Sequence, residues 1–188
     1  MNEAVSVPQP AWRRIFGFAL DPGGLIRGQL AQVPLAEAFA VPAMAFALFF
    51  LQTGLDRARV GKADGVTVAL LTLAGLLFGT LGIGLVALLG WGAVRALGGT
   101  AAIGEVQRAF ALAYSPALIS TLLGLGVSLL LGSRTALVFG VTGVLWALGP
   151  MSGAVRQMLG GRQWGAIAVS TLCGLAVLLG WARLEALL

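Results

Sequence analysis

Five long apolar runs, each near the length an α-helix needs to cross a hydrocarbon layer, constrain this 188-residue chain more than any other feature of its sequence. A helix advances about 1.5 Å per residue, so roughly 20 apolar residues cover a hydrocarbon core of roughly 30 Å. The first run covers about 34–53, opening at Pro34, whose missing N–H is harmless at the first helical position, and continuing through AMAFALFF. It stops before Asp56, Arg57, Arg59, Lys62 and Asp64, the most polar stretch of the chain. The second covers about 66–97 and exceeds a minimal span, which predicts tilt or an end that emerges from the hydrocarbon. It closes at Gly98-Gly99. The third, fourth and fifth cover about 116–131, 136–159 and 164–181.

Lipid must be the solvent of these runs. Residues are 59% apolar and 10% charged, with a mean hydropathy of +0.96, whereas soluble domains carry about 25% charged residues. Seven acids and twelve bases cannot form the polar skin of a soluble fold of this size. In lipid, backbone groups must be satisfied within each segment, so the expected fold is all-α: a polytopic bundle of five transmembrane helices over 34–188, after a cytoplasmic segment over 1–33.

Two segments have the mixed character of helices at a membrane surface. In AWRRIFGFALDPGGLIRGQLAQ, Trp12, Ile15, Phe16 and Phe18 accompany Arg13, Arg14 and Arg27, which suits an anionic membrane face and equally an ordinary connector. In TAAIGEVQRAFALAYSP, Ile103, Val106 and Phe110 keep helical spacing while Glu105, Gln107 and Arg108 supply a polar side, predicting a short interfacial helix. Tyr114 at its end suits the headgroup layer, and Pro116 starts the third span. Gly149-Pro150 should interrupt and kink the fourth span. Trp164 and Trp181 stand where interfacial aromatic belts are expected around the fifth.

The net charge of +5 does not point to nucleic acid, because the basic residues are scattered through the connections and form no run. Counted on alternate sides, seven Lys and Arg fall on the amino-terminal side and five on the other, which predicts a cytoplasmic amino terminus and an external carboxyl terminus. Eleven of the twelve bases are Arg, and the bias to Ala, Gly, Leu and Val suits a GC-rich bacterial source and hence an inner membrane. The polar, proline-bearing opening MNEAVSVPQP predicts an amino terminus that is not removed as a signal peptide.

Little in the sequence suggests catalysis. There is no histidine, and Cys173 is the only cysteine, so the commonest metal ligand, the commonest general base and an intrachain disulfide are all missing. No phosphate loop, HExxH or metal-ligand cluster occurs, and no cofactor is expected. Ser115 and Ser152 stand without an evident base. Glu37, one turn into the first span, either complements the helix dipole near the interface or marks a functional site. Arg156 and Gln157 either snorkel to the surface or face a polar cavity, and a Glu37–Arg156 pair would lie near the cytoplasmic face. Small residues recur four apart at Gly75/Gly79, Ser120/Gly124, Ser128/Gly132, Gly149/Gly153 and Ser170/Gly174, as in close helix packing within one chain or between copies.

The stretch LGGTAAIGEVQRAFALAYSPALI, followed by a span and then VLWALGPMSGAVRQMLGG, resembles the Yip1 domain family. The resemblance rests on the two-glycine segment, the Ala113-Tyr114-Ser115-Pro116 element and the tryptophan-bearing fourth span with Trp146, and extends over most of the chain. It implies five transmembrane helices and a cytoplasmic amino terminus. Eukaryotic relatives associate with small GTPases and with one another, through a long cytosolic region not seen here. The expectation is therefore a non-enzymatic protein that organises envelope proteins or lipids by helix packing. The alternative is a small transporter or channel with a polar site near Glu37 and Arg156.

Overall fold

A computed structural model describes Gly17 and residues 30–187, and side chains as far as Leu184. The segment expected to lie on the membrane before the first span falls almost wholly outside these residues. A short 3-10 turn, Leu30–Gln32, precedes α1 (Leu35–Ala58). There follow α2 (Gly65–Leu77), a π turn (Phe78–Gly82), α3 (Ile83–Ala96), α4 (Ile103–Ala113), α5 (Ser115–Leu131), α6 (Ala136–Met158) and α7 (Gln163–Leu187). Among the described residues there is no strand. Five stretches are long and apolar enough to cross a membrane: Leu35–Ala58, Gly65–Ala96, Ile103–Leu131, Ala136–Met158 and Gln163–Leu184. They fit an integral, multi-pass membrane protein.

The helix ends follow directly from local sequence. Pro34, in extended backbone, is the cap residue immediately before α1. At the far end, α1 does not stop before the charged stretch but carries it, continuing through Asp56 and Arg57. Three chain reversals use one device, with the amides just beyond the helix turned back on its last carbonyls. Gly61 N–H donates to Ala58 and Lys62 N–H to Arg57; Gly98 to Arg95 and Gly99 to Val94; Gly160 to Gln157 and Gly161 to Arg156. The pivot is a glycine at positive φ each time, Gly61 at 70°, Gly98 at 83° and Gly160 at 63°, a conformation a Cβ disfavours.

At the start of α2, Asp64 Oδ1 accepts bonds from the Thr67 hydroxyl at 2.6 Å and the Thr67 N–H at 2.8 Å. This cap lies outside the span, and the Thr67 hydroxyl first, with the Thr67 amide, holds the Asp64 carboxyl below its ordinary value of 3.8. A carboxyl whose folded pKa is depressed stabilises the fold fully above its unfolded pKa, and the contribution fades as pH falls through the lower folded value. Asp64→Asn should therefore narrow the loss of melting temperature between about pH 5 and pH 3 in detergent, relative to the natural chain.

Many interior positions are small: Ala38, Ala87, Ala109, Ala111, Ala113, Ala147 and Ala154 are fully buried, among large core side chains such as Phe50, Phe110 and Tyr114. Many leucines point outward, as with Leu130 at 85% exposure and Leu131 at 74%. With lipid as apolar as leucine, association rests on close backbone approach, which small residues permit. The helices gather around α1, which packs on α2, the π turn, α4, α5 and α6. Both α1 and α6 run unbroken through a proline, Pro42 and Pro150, so the expected interruption at Gly149-Pro150 is not a break in the helix.

The glycine spacings serve contacts inside the chain. Gly75 and Gly79 meet the α1 backbone, Gly124 meets Phe139 of α6, and Gly174 meets Leu148 of α6. Gly140 meets the Phe49 ring and Gly143 meets Ala117. Of the paired positions, Gly149 and Gly132 have open space where a Cβ would stand.

Candidate functional site

The most enclosed stretch of the bundle is residues 109–118, all of them buried, where α4 ends and α5 begins. Alternation of alanine with larger residues makes this feasible, because Ala109, Ala111 and Ala113 let α1, α3 and α6 approach closely. The helix expected at this point does form, with Val106 and Phe110 enclosed by protein and Ile103 exposed at its start. Tyr114, expected in the headgroup layer, is instead 1% exposed, its ring 5.7 Å from that of Phe46. Pro116 occupies the first turn of α5, also buried, and the Ser115 hydroxyl donates to the Leu112 carbonyl at 2.6 Å.

A seam of polar side chains runs from this centre to the end of the bundle where α5 meets α6. Gln52, fully buried on α1, donates from Nε2 to the Thr121 carbonyl at 2.5 Å, and its Oε1 has no partner. The Ser120 hydroxyl donates to the Phe139 carbonyl at 2.8 Å, and the Thr135 hydroxyl to the Gly124 carbonyl at 2.9 Å. Such bonds between membrane helices contribute about 0.6–2 kcal/mol each.

At the end of the seam, Asp56 in the last turn of α1 and Arg59 just beyond it clasp the α5–α6 reversal. Arg59 donates to the Ser128 hydroxyl and the Ser128 carbonyl, each at 2.8 Å, and to the Ser133 carbonyl at 3.2 Å. Its guanidinium also pairs with Asp56 Oδ1 at 3.2 Å. The other oxygen, Asp56 Oδ2, accepts from the Ala136 N–H at 3.3 Å. A cation thus sits at the carbonyl end of α5 and a carboxylate at the amide end of α6, each complementing the local helix dipole.

The polar positions expected to matter are dispersed. Glu37 is half-buried in the first turn of α1. Arg156 is exposed in the last turn of α6, with Gln157 half-buried beside it, and the structure records no ion pair joining Arg156 to Glu37. Pro150 is buried in the middle of α6. Of the two belt tryptophans, Trp164 is 85% exposed, whereas Trp181 packs edge-to-face on Phe49 with ring centres 5.3 Å apart. Sequence reasoning passed over Gln52, the one amide inside the first apolar run and the signal that could have located the seam. Arg108 was read only as part of a polar face, yet its Nε donates to the Val33 carbonyl at 2.7 Å and ties α4 to the segment before α1.

Comparisons of the chain with family models, with curated proteins and with solved structures give no match.

Proposed function

We propose that the chain is a Yip1-like, non-enzymatic protein of the bacterial inner membrane, amino terminus cytoplasmic, that organises neighbouring lipids or proteins through its helix faces. Its amino-terminal segment, with Trp12 and the basic residues Arg13, Arg14 and Arg27, would lie on the cytoplasmic membrane surface. The observation that supports this reading best is the use made of the interior polar groups. Ser120, Thr135, Gln52 and Arg59 bond helix to helix, so these groups do structural work in the bundle rather than lining a route through it.

The test is extraction in a mild detergent after chemical crosslinking in the membrane. A reproducible set of co-purifying proteins or lipids is expected, and recovery of the chain alone would reject the proposal. The transporter alternative makes a contrary prediction. Solute flux into liposomes holding the natural chain, Glu37→Ala or Arg156→Ala should match that of protein-free liposomes; flux lowered by either substitution would favour a conducting pathway instead.

A further inference from the structure

The end of the bundle where α1 stops and α6 starts holds a cavity of about 370 Å³. Its rim carries Arg57, Lys62 and Arg134, which come from three parts of the chain: the last turn of α1, the α1–α2 turn and the α5–α6 reversal. Among the described residues one carboxylate, Asp56, also lines it. Lys62 and Arg134 bring two positive charges to this rim, and Asp56 is already engaged by Arg59 and the Ala136 amide. The cavity therefore favours an anion.

The remaining walls distinguish between kinds of anion. Phe49 and Trp181, joined edge to face, form an apolar side of the cavity and continue into a narrow apolar cleft against Val144 and Val177. Leu137 lines the cavity as well and is 62% exposed on the outer surface of α6, a span by length and composition. A cationic rim thus passes within one cavity into an apolar wall that opens sideways to the hydrocarbon. A small inorganic anion makes use of the rim alone. An amphiphile with an anionic head uses both parts, and a cavity of this size holds a headgroup while acyl chains remain in the bilayer.

We infer that this cavity binds an anionic phospholipid, its phosphate against Lys62 and Arg134 and its chains passing over Leu137 along α6. The inference rests on the proposed membrane role and gives the lipid side of that role a specific ligand class. Lys62 and Arg134 are both exposed, so their removal leaves the packed interior untouched.

The test uses the full chain, stripped of lipid in detergent and titrated with short-chain phosphatidylglycerol, short-chain phosphatidylcholine or inorganic phosphate. Bound lipid is read by native mass spectrometry and by the rise in melting temperature. Phosphatidylglycerol should bind more tightly than phosphatidylcholine, and inorganic phosphate at the same concentration should neither bind nor displace it. The double variant Lys62→Gln/Arg134→Gln should lose about tenfold or more in phosphatidylglycerol affinity, while Arg95→Gln, an exposed position outside the cavity, should lose none. Equal binding of the two lipids overturns the inference, as does displacement of lipid by inorganic phosphate or unchanged affinity in the double variant. The selectivity of the natural chain decides the matter even if a variant folds poorly. Co-purifying proteins without any phosphatidylglycerol preference would sink the lipid site and leave the organising role standing.

Discussion

Gly79→Val is expected to prevent the bundle from assembling. The glycine brings the π turn against the backbone of α1 at Pro42 and Ala43. A Cβ at this position would lie 2.7 Å from the Pro42 carbonyl carbon and 2.8 Å from the Ala43 Cα, and would also run into the Pro42 carbonyl oxygen. These are backbone atoms of a packed helix, so no side-chain rotation relieves the clash. Either α1 and the π turn separate, removing the contacts that bring Phe46 to Phe78 at 5.0 Å, or the helix distorts. Overpacking commonly costs about 1–3 kcal/mol where side chains can yield, and a backbone clash of this kind belongs above that range. The expected readout is loss of the monodisperse peak in detergent size-exclusion chromatography. Gly92→Ala and Gly149→Ala, where a Cβ would meet nothing within 4 Å, should elute like the natural chain. A monodisperse Gly79→Val protein would show that the α1–α2 approach is looser than described.

Arg59→Ala is expected to be the most damaging change in the polar stretch at the end of α1. It removes the donors to Ser128 and Ser133 and the partner of Asp56 together. Hydrogen bonds from a charged donor contribute about 1.5–3 kcal/mol each but are not additive, and the side chain is 30% exposed, so the expected loss is about 2 kcal/mol for the whole group. Arg59→Lys should recover little, because one ammonium cannot reproduce the planar fork that reaches the Ser128 hydroxyl, its carbonyl and Asp56 together. Asp56→Ala should cost less than Arg59→Ala, and the double variant less than the sum of the two, since the residues share one interaction. Melting temperatures of the four proteins in one detergent check all of these values. Full recovery by lysine would mean that charge alone, without geometry, holds the reversal.

The five spans were legible because length and apolarity report directly on a membrane solvent, and the reversal after the second was legible because Gly98-Gly99 stands where the helix ends. The partners of the polar face of α4 were not legible. Glu105, Gln107 and Arg108 on one side of an apolar helix look the same in sequence whether that side meets headgroups or the rest of the fold. Arg108 in fact bonds to Val33, a partner 75 residues away that no local pattern reveals. The burial of Tyr114 was hidden for the same reason. An amphipathic ring suits the interface on its own, and only the packing of α4 against its neighbours shows the bundle closing around it. The clasp made by Asp56 and Arg59 was visible only as a cluster of charge, because the carbonyls and the amide it serves lie 69 to 80 residues further along.

The π turn alters how the second span has to be read. Its buried positions Leu71, Gly75, Gly79 and Ile83 fall four residues apart at every step, with no three-residue step between them. At about 100° per residue, each such step overshoots a full turn by about 40°, so in a regular helix the inward face would migrate away from α1 within this stretch. The wider turn at Phe78–Gly82 absorbs part of that drift, and beyond Ile83 the spacing returns to three and four, through Val86, Ala87 and Gly90 to Val94. The phase of the span is therefore reset partway along its length. A single-residue deletion between 78 and 82 becomes the one length change this helix could absorb while keeping both halves in register with their neighbours.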